Sequence, residues 1–491
     1  MLELQYLKEL EEIIEYKRHD DEDKRKHLKE LWSYRLQFMA QDVEPIQKTL
    51  NLRSLVIDIS EDTTHYLKLA DLCTKKGYSS MSQRILQNLK AEIKTNIEST
   101  PEDQLFIISQ VDFGMLKYEY SQGEYVKAID GLKSLIETEK RIDPLWYITL
   151  GNWHKDLAEQ KEALTNKEYR VIISHFKKAT ELDEKDNLAW HYYALANYEA
   201  CKHFESSASP SKRSKNQSAE EYALYIVFAV KGLIQSISLG GQDVTKTLQD
   251  TLRLLQLWFK HGSVDEIDIL IKNGFEIIGI EVWTQVIPQL LARIDINAKK
   301  VKDSMVHLLK IICDTYPQAM IYPVSVLSQS NTENRKQVAD ELIEMMRKNQ
   351  KKLINQALFI SQELIRAAVL MNESWCEALE EAAGNYFGNN DEERMIETLK
   401  TQYKTLEDEP VSMSEIAFHQ NYRCELLEAW DWINKPNRNQ DDILQAWDIY
   451  HKLFLRLNKK LKEVDFYELK NVAPKLLKIE NTNISVPGIY R

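Results

Sequence analysis

The chain has 491 residues, a formal net charge of −12 and a sequence pI of about 5.6. This excess of acidic residues excludes a positive field over the whole surface, so we expect no nucleic-acid partner. With only 14 Gly and 11 Pro, the composition predicts an almost entirely α-helical protein, and the length exceeds what one hydrophobic core can organise.

Neither a leader peptide nor a transmembrane segment is predicted. The N-terminal segment is amphipathic and charged, and the most apolar stretch, Tyr222 to Ile234, is too short and is interrupted by Lys231. The five cysteines are scattered without a CxxC pair, which favours a reducing compartment. We therefore expect a cytoplasmic protein.

Residues 1–354 show the pattern of a helical-repeat solenoid of the tetratricopeptide or HEAT type. One helix-pair motif has Gly123 in a turn, followed by small and apolar residues at helical spacing; another has the same spacing around Phe176 and Tyr193. The repeat period is irregular, so an ordinary helical domain is the alternative. Residues 203–220 are rich in Ser and Lys, and they predict a disordered insertion between helices.

Residues 355–461 predict a four-helix bundle. Turn-forming residues separate four periodic segments: Ala357 to Phe387, Glu392 to Leu406, Ser412 to Trp432 and Asp441 to Leu461. The last helix is apolar on two faces. Ala446, Ile449, Tyr450 and Leu453 form a stripe with the spacing of a buried helix face, and Leu444, Trp447, His451 and Phe454 form a second stripe. A helix of this kind is deeply buried or presents a groove to a partner.

Several long strings in this chain resemble the target of rapamycin kinases, a branch of the phosphatidylinositol-3-kinase-related protein kinases. The segments ELIRAAVLMNESWCEALEEAAGNYFG and LQAWDIYHKLF are similar to the FKBP-rapamycin-binding domain of that family, and SISLGGQDVTKTLQDTLRLLQLWF and YPQAMIYPVSVLSQS are similar to its FAT domain. The resemblance implies an all-α regulatory scaffold of a serine/threonine kinase: a FAT-type solenoid, a rapamycin-binding bundle, and a linker at 462–491 that leads towards a kinase domain.

No phosphate-binding loop, catalytic Asp-Asn pair or metal-binding motif occurs in the sequence, so we expect no catalytic residue, metal site or cofactor here. ATP and magnesium would belong to the kinase domain of the parent polypeptide. Asp448 and His451 could mimic a base and its orienting partner, but no nucleophile accompanies them. An enzymatic role of the chain itself stays open.

The resemblance implies a cleft for an immunophilin–rapamycin complex between the first and last helices of the bundle. The residues that match family pocket positions, or lie among them, are Leu379, Ala383, Phe387, Leu444, Trp447, Asp448, His451 and Phe454. Leu444 and His451 depart from the family pattern, in which a small polar residue and a phenol are expected. The alternative is that the second stripe is simply packed against the solenoid.

Some relatives hold an inositol polyphosphate in the solenoid. Lys68 and Lys75 match two of its lysines, while Thr149 and Leu188 stand where basic residues are expected, so we expect weak binding.

The resemblance also implies other partners: the kinase domain of the parent polypeptide, further subunits of a TOR complex, and substrates recruited in nutrient and growth signalling. It implies a cytoplasmic protein associated peripherally with endomembranes through its complex. The competing hypothesis is a free-standing helical-repeat adaptor that binds protein partners.

Overall fold

The structure, a computed structural model, describes residues 2–18, 21–39, 42–95, 101–161, 164–207, 215–241, 243–330, 332–436, 438–463 and 466–479. Over these residues it is all-helical and contains no β-strand, which confirms the predicted fold class. Contacts between Cα atoms divide the chain into two compact units, 1–279 and 280–491.

The first unit is an array of helices that pack in chain order. The helices are α1 Leu2–Arg18, α2 Glu22–Phe38, α3 Val43–Arg53, α4 Thr63–Lys75, α5 Ser79–Thr95, α6 Pro101–Ser121, α7 Tyr125–Thr138, α8 Pro144–Gln160, α9 Asn166–Leu182, α10 Asn187–Ser207, α11 Lys215–Leu239, α12 Val244–His261 and α13 Asp265–Ile277. Each helix from α3 to α13 packs against the next, and α4, α8 and α11 also contact α6, α10 and α13 respectively, as expected for stacked helix pairs.

The motifs that predicted the solenoid lie where helices meet. Gly123 has a positive φ of 91° in the turn before α7, a conformation that glycine adopts without steric cost. Phe176 and Ala179 of α9 and Ala194 of α10 are buried. Small residues at such crossings let helix backbones approach closely, and the aromatic rings fill the remaining space.

The predicted insertion at 203–220 is wrong at both ends. Helix α10 continues to Ser207 and α11 begins at Lys215. Serine and lysine have no strong penalty in a helix, so the helices extend beyond the apolar residues. Residues 208–214 lie outside the described part of the chain.

Among the described residues, one helical segment, Glu220–Leu239 in α11, is long and apolar enough to cross a membrane by length and composition. Half of it is buried inside the protein, and α11 packs against α10, α12 and α13. A bent pair of helices, Glu333–Ala368 with Met371–Gly388, passes the same test only if it is counted as one span.

The second unit combines short helix pairs with a four-helix bundle. Its first helices are α14 Ile280–Thr284, α15 Ile287–Ala292, α16 Lys299–Thr315, α17 Pro317–Ser328 and α18 Glu333–Ala368. The bundle follows as α19 Met371–Ala383 with a π-helical turn Gly384–Gly388, α20 Glu392–Glu407, α21 Met413–Ile433 and α22 Gln440–Glu463. A short helix, α23 Leu469–Val472, and a 3₁₀ turn, Leu476–Lys478, come last.

The first predicted bundle helix, Ala357 to Phe387, is not continuous. Helix α18 ends at Ala368, Val369 and Leu370 have extended backbones, and α19 begins at Met371 with its axis turned by 62°. The break has a packing reason, because α18 packs against α17 whereas α19 packs against the other bundle helices. One straight helix could not pack against both α17 and the bundle helices. The predicted domain limits, 1–354 and 355–461, stay a prediction.

Candidate functional site

A cleft between α19 and α22 is the candidate functional site. These helices pack against each other, and Ala446, Tyr450 and Leu453 of α22 are buried in the bundle core. This is the core stripe that the sequence predicts. The second stripe of α22 lies beside it and opens onto a cavity of about 530 Å³.

The structure brings all eight predicted cleft residues together around this one cavity. The residues that line it are Leu379, Glu380, Ala383, Phe387, Leu444, Trp447, Asp448, Tyr450, His451 and Phe454. Apolar and aromatic side chains therefore form most of the wall, with a few polar groups among them, as in sites for drug-sized ligands.

The deepest part of the cleft is fixed by the bundle core. Tyr450 has no exposed surface, and its hydroxyl lies 3.1 Å from the hydroxyl of Tyr403, which donates a hydrogen bond to the carbonyl oxygen of Leu426. Burial raises the pKa of Tyr450, so the phenol stays protonated in the neutral range. The cleft therefore has a rigid floor. Above it, Ala383 is only partly buried, and its single methyl group leaves room for a ligand.

Aromatic rings form one end of the cleft. The Phe387 ring lies 5.3 Å from the Trp447 ring, and Tyr386 and Tyr450 lie 6.2 and 5.6 Å from the same indole. Trp447 is nearly buried by these neighbours, whereas Phe387 is 59% exposed. A ligand at this end of the cleft would therefore meet aromatic rings that already pack against one another.

The π-helical turn explains why Phe387 reaches Trp447. In an ideal α-helix, residues at i, i+4 and i+8 drift by roughly 40° per step around the axis, so Phe387 would leave the face of Leu379 and Ala383. The π turn at Gly384–Gly388 is wider and rotates less per residue, which reduces this drift. The spacing of apolar residues contains no signal for this turn.

The rim of the cleft is polar and includes a residue that sequence reasoning missed. Glu380 of α19 and Asp448 of α22 are exposed carboxylates on opposite walls. Leu444 is 44% exposed, and His451 is exposed beside Asp448. Glu380 lies one residue after Leu379, so helical geometry could have indicated a place at the edge of the same face.

Asp448 and His451, which the sequence placed at i and i+3, both lie on the rim of the cleft. Among the described residues, no group of three or more His, Cys, Asp or Glu side chains could hold a metal ion.

The two lysines predicted for an inositol polyphosphate, Lys68 and Lys75, share one face of α4 at a separation of about 10 Å. The Lys75 ammonium is 2.7 Å from Asp71, and Lys117 is 3.5 Å from the same carboxylate. Burial alone would raise the pKa of Asp71, but the charges of Lys117 and Lys75 hold it below its ordinary value. Lys75 is thus already paired with a carboxylate, which weakens any ion pair that it could form with a phosphate.

Three family models match the chain. The FAT domain model matches residues 1–256, which is more than half of the chain. A model of the HEAT repeats of ATR-like serine/threonine-protein kinases matches 266–363, and the FKBP12-rapamycin binding domain model matches 363–459.

Curated relatives align along the full length of this chain. The serine/threonine-protein kinase TOR of Oryza sativa subsp. japonica is 33% identical over 525 residues, covering 100% of this chain and 21% of the relative. The kinase tor1 of Schizosaccharomyces pombe is 33% identical over 521 residues, covering 100% of this chain and 22% of the relative. The chain belongs to the FAT-domain family of TOR kinases. It spans about a fifth of the length of these relatives, and it corresponds to a FAT domain followed by an FKBP12-rapamycin binding domain.

The fold of this TOR region also occurs in solved structures. The complete CtTel1 dimer has a TM-score of 0.51 and 12% sequence identity, and it covers 77% of this chain and 16% of that chain. The FKBP12-rapamycin binding domain match contains α19 to α22 up to residue 459, and therefore contains all residues of the cleft. These comparisons do not favour a free-standing adaptor.

Proposed function

We propose that the cleft between α19 and α22 binds a complex of FKBP12 and rapamycin. The observation that carries this proposal is the single cavity lined by all eight residues predicted from the family pattern. Its apolar floor suits a macrolide, and its open rim leaves space for an accompanying protein.

The same cleft would recruit protein substrates to the parent kinase. Glu380 and Asp448 place two negative charges beside an apolar surface. A substrate segment with apolar anchors flanked by Lys or Arg would match both features. In this proposal the solenoid frames the kinase domain and contacts the other subunits of a TOR complex, in growth signalling.

The remaining features of the parent enzyme belong to the same proposal. ATP and magnesium would act in the kinase domain of the parent polypeptide, and this chain would need no cofactor of its own. We place the protein in the cytoplasm, associated peripherally with endomembranes through its complex.

Titration calorimetry with preformed FKBP12–rapamycin tests the binding. Ala383→Ile should abolish the heat of binding and leave the melting temperature nearly unchanged, because the larger side chain fills open space in the cleft. Tyr450→Ala should instead lower stability by about 2 to 4 kcal/mol, because it removes a fully buried ring.

Trp447→Ala should affect both ligand binding and the stability of the bundle, so it separates these two effects less cleanly. It should weaken binding by about 2 kcal/mol or more, as expected for an aromatic residue at the centre of an interface. It should also lower the melting temperature, since three rings pack against this indole. If Ala383→Ile unfolds the bundle as severely as Tyr450→Ala, the cavity is part of the core and the proposal fails.

The two departures from the family pattern provide the control for a negative result. If the wild-type chain gives no heat of binding, Leu444→Thr and His451→Tyr together should restore it. Absence of binding in that double variant would rule out the cleft as a rapamycin site.

A further inference from the structure

Two histidines meet where α8 packs against α9, in the first unit and outside the cleft. The rings of His154 and His175 are stacked, with centroids 5.2 Å apart and planes inclined by 16°. The Tyr147 ring lies 6.4 Å from His175, also nearly parallel to it. The α8–α9 interface therefore contains a short stack of rings that includes two histidines.

The hydrogen-bonding groups of this histidine pair are not satisfied. Nε2 of His154 and both ring nitrogens of His175 are buried without a hydrogen-bond partner. A neutral imidazole carries one donor and one acceptor, and each is costly to bury unpaired. His191, also buried in this unit, differs because its Nδ1 lies 2.7 Å from Asp250.

A metal ion does not account for the pair. Imidazole nitrogens bind a metal along the ring plane, at about 2.0–2.1 Å for zinc. Zinc sites in proteins use three or four protein ligands, so two imidazoles alone do not make one. The described residues also provide no third ligand at this place.

Charged groups on the neighbouring helices both raise and lower the pKa values of the two histidines. Burial, the neighbouring ring and the cations Lys178 and Lys133 lower the pKa of His175 to about 4. Burial and Lys133 lower the pKa of His154, against the opposing effect of Glu168 and Asp130. Helix α7 provides Asp130 and Lys133, and α9 provides Glu168 and Lys178.

We propose that the His154–His175 pair is a proton-operated switch in the FAT solenoid: a proton taken up by either ring loosens α8 from α9. The stack tolerates two neutral rings, but a charged ring at this place has no hydrogen-bond acceptor for its buried N–H groups. Opening the interface exposes the ring to water, which stabilises the charged form.

Whether acid stabilises or destabilises the α8–α9 interface follows from the histidine pKa values in the unfolded and the folded chain. In the unfolded chain the imidazoles titrate near pH 6.5. In the folded chain the pKa of His175 lies at about 4, so between these values the unfolded or opened form binds more protons. The stability of the interface is complete above pH 6.5 and declines as the pH falls towards 4.

Hydrogen exchange on the full chain between pH 7.5 and 5.0, corrected for intrinsic rates, tests this proposal. Protection of the amides in α8 and α9 should fall by roughly tenfold or more in the wild type, in line with a shift of more than one pKa unit. His175→Phe keeps a flat ring in the stack but cannot take up a proton, so most of this acid-induced loss should disappear. His154→Phe should reduce it less.

The matched control is His27→Phe on α2, because His27 is exposed. This variant should keep the wild-type pH dependence of α8 and α9. The proposal is overturned if the wild type and both stack variants lose protection equally on acidification. It is also overturned if the acid-induced loss in α16, in the second unit, equals that in α8 and α9.

Discussion

At the residue scale, the first helices are held by buried charges. Arg53 donates hydrogen bonds of 3.2 and 3.0 Å to the two carboxylate oxygens of Glu9, and the two side chains are only 2% and 0% exposed. Nearby, Glu12 accepts hydrogen bonds from Trp32 and Arg35. Burial alone would raise the pKa of Glu12, but these partners hold it below its ordinary value.

Breaking the Glu9–Arg53 pair should cost far more than breaking a surface pair. Arg53→Met leaves the Glu9 carboxylate buried without its partner, so we expect a loss of about 3–5 kcal/mol in the free energy of unfolding. Replacing both residues by Met should recover most of it. Lys177→Met is the control, because the Lys177–Glu181 pair is 61% exposed on both sides and should contribute below about 1 kcal/mol. Urea unfolding of the three variants beside the wild type checks the order, and equal losses for the two single variants would contradict it.

At the element scale, the periodicity of apolar residues predicted the helices and the two stripes of α22. The cleft residues were implied by the family resemblance, whereas periodicity showed only that Leu379 and Ala383 share a face of one helix. It could not predict the break at Val369 and Leu370, because no Pro or Gly marks it and two different cores impose it. Nor could it predict the burial of Glu9, because that depends on a partner 44 positions away.

Replacing either of two helical glycines by alanine should change the stability of the protein, but in opposite directions. A Cβ on Gly151 in α8 would lie 2.5 Å from the ring of Phe176, which is almost fully buried and cannot move aside. Gly151→Ala should therefore destabilise the first unit by about 1–3 kcal/mol. A Cβ on Gly384 meets nothing within 4 Å, and its backbone is already helical with φ −61° and ψ −40°.

Gly384→Ala should consequently stabilise the second unit by about 0.5–1 kcal/mol, because alanine restricts the unfolded chain without strain in the fold. Chemical unfolding of the two variants beside the wild type measures both effects. A destabilising Gly384→Ala would mean that the π turn requires glycine for a reason other than space.

At the scale of the whole molecule, the two compact units, 1–279 and 280–491, should unfold as separate transitions. Each has its own hydrophobic core, with Trp146 and Leu132 in one and Trp375 and Tyr450 in the other.

If the cleft binds FKBP12–rapamycin, the complex at a hundred times its Kd should stabilise the second unit by about 2.7 kcal/mol. For units of this size, that corresponds to about 5–10 °C in melting temperature. Differential scanning calorimetry of the full chain should therefore show one transition that moves with ligand and one that does not. With Ala383→Ile, neither transition should move. A single transition that shifts as a whole with ligand would show that the ligand binds but that the two units unfold cooperatively, which would contradict the expected separate transitions.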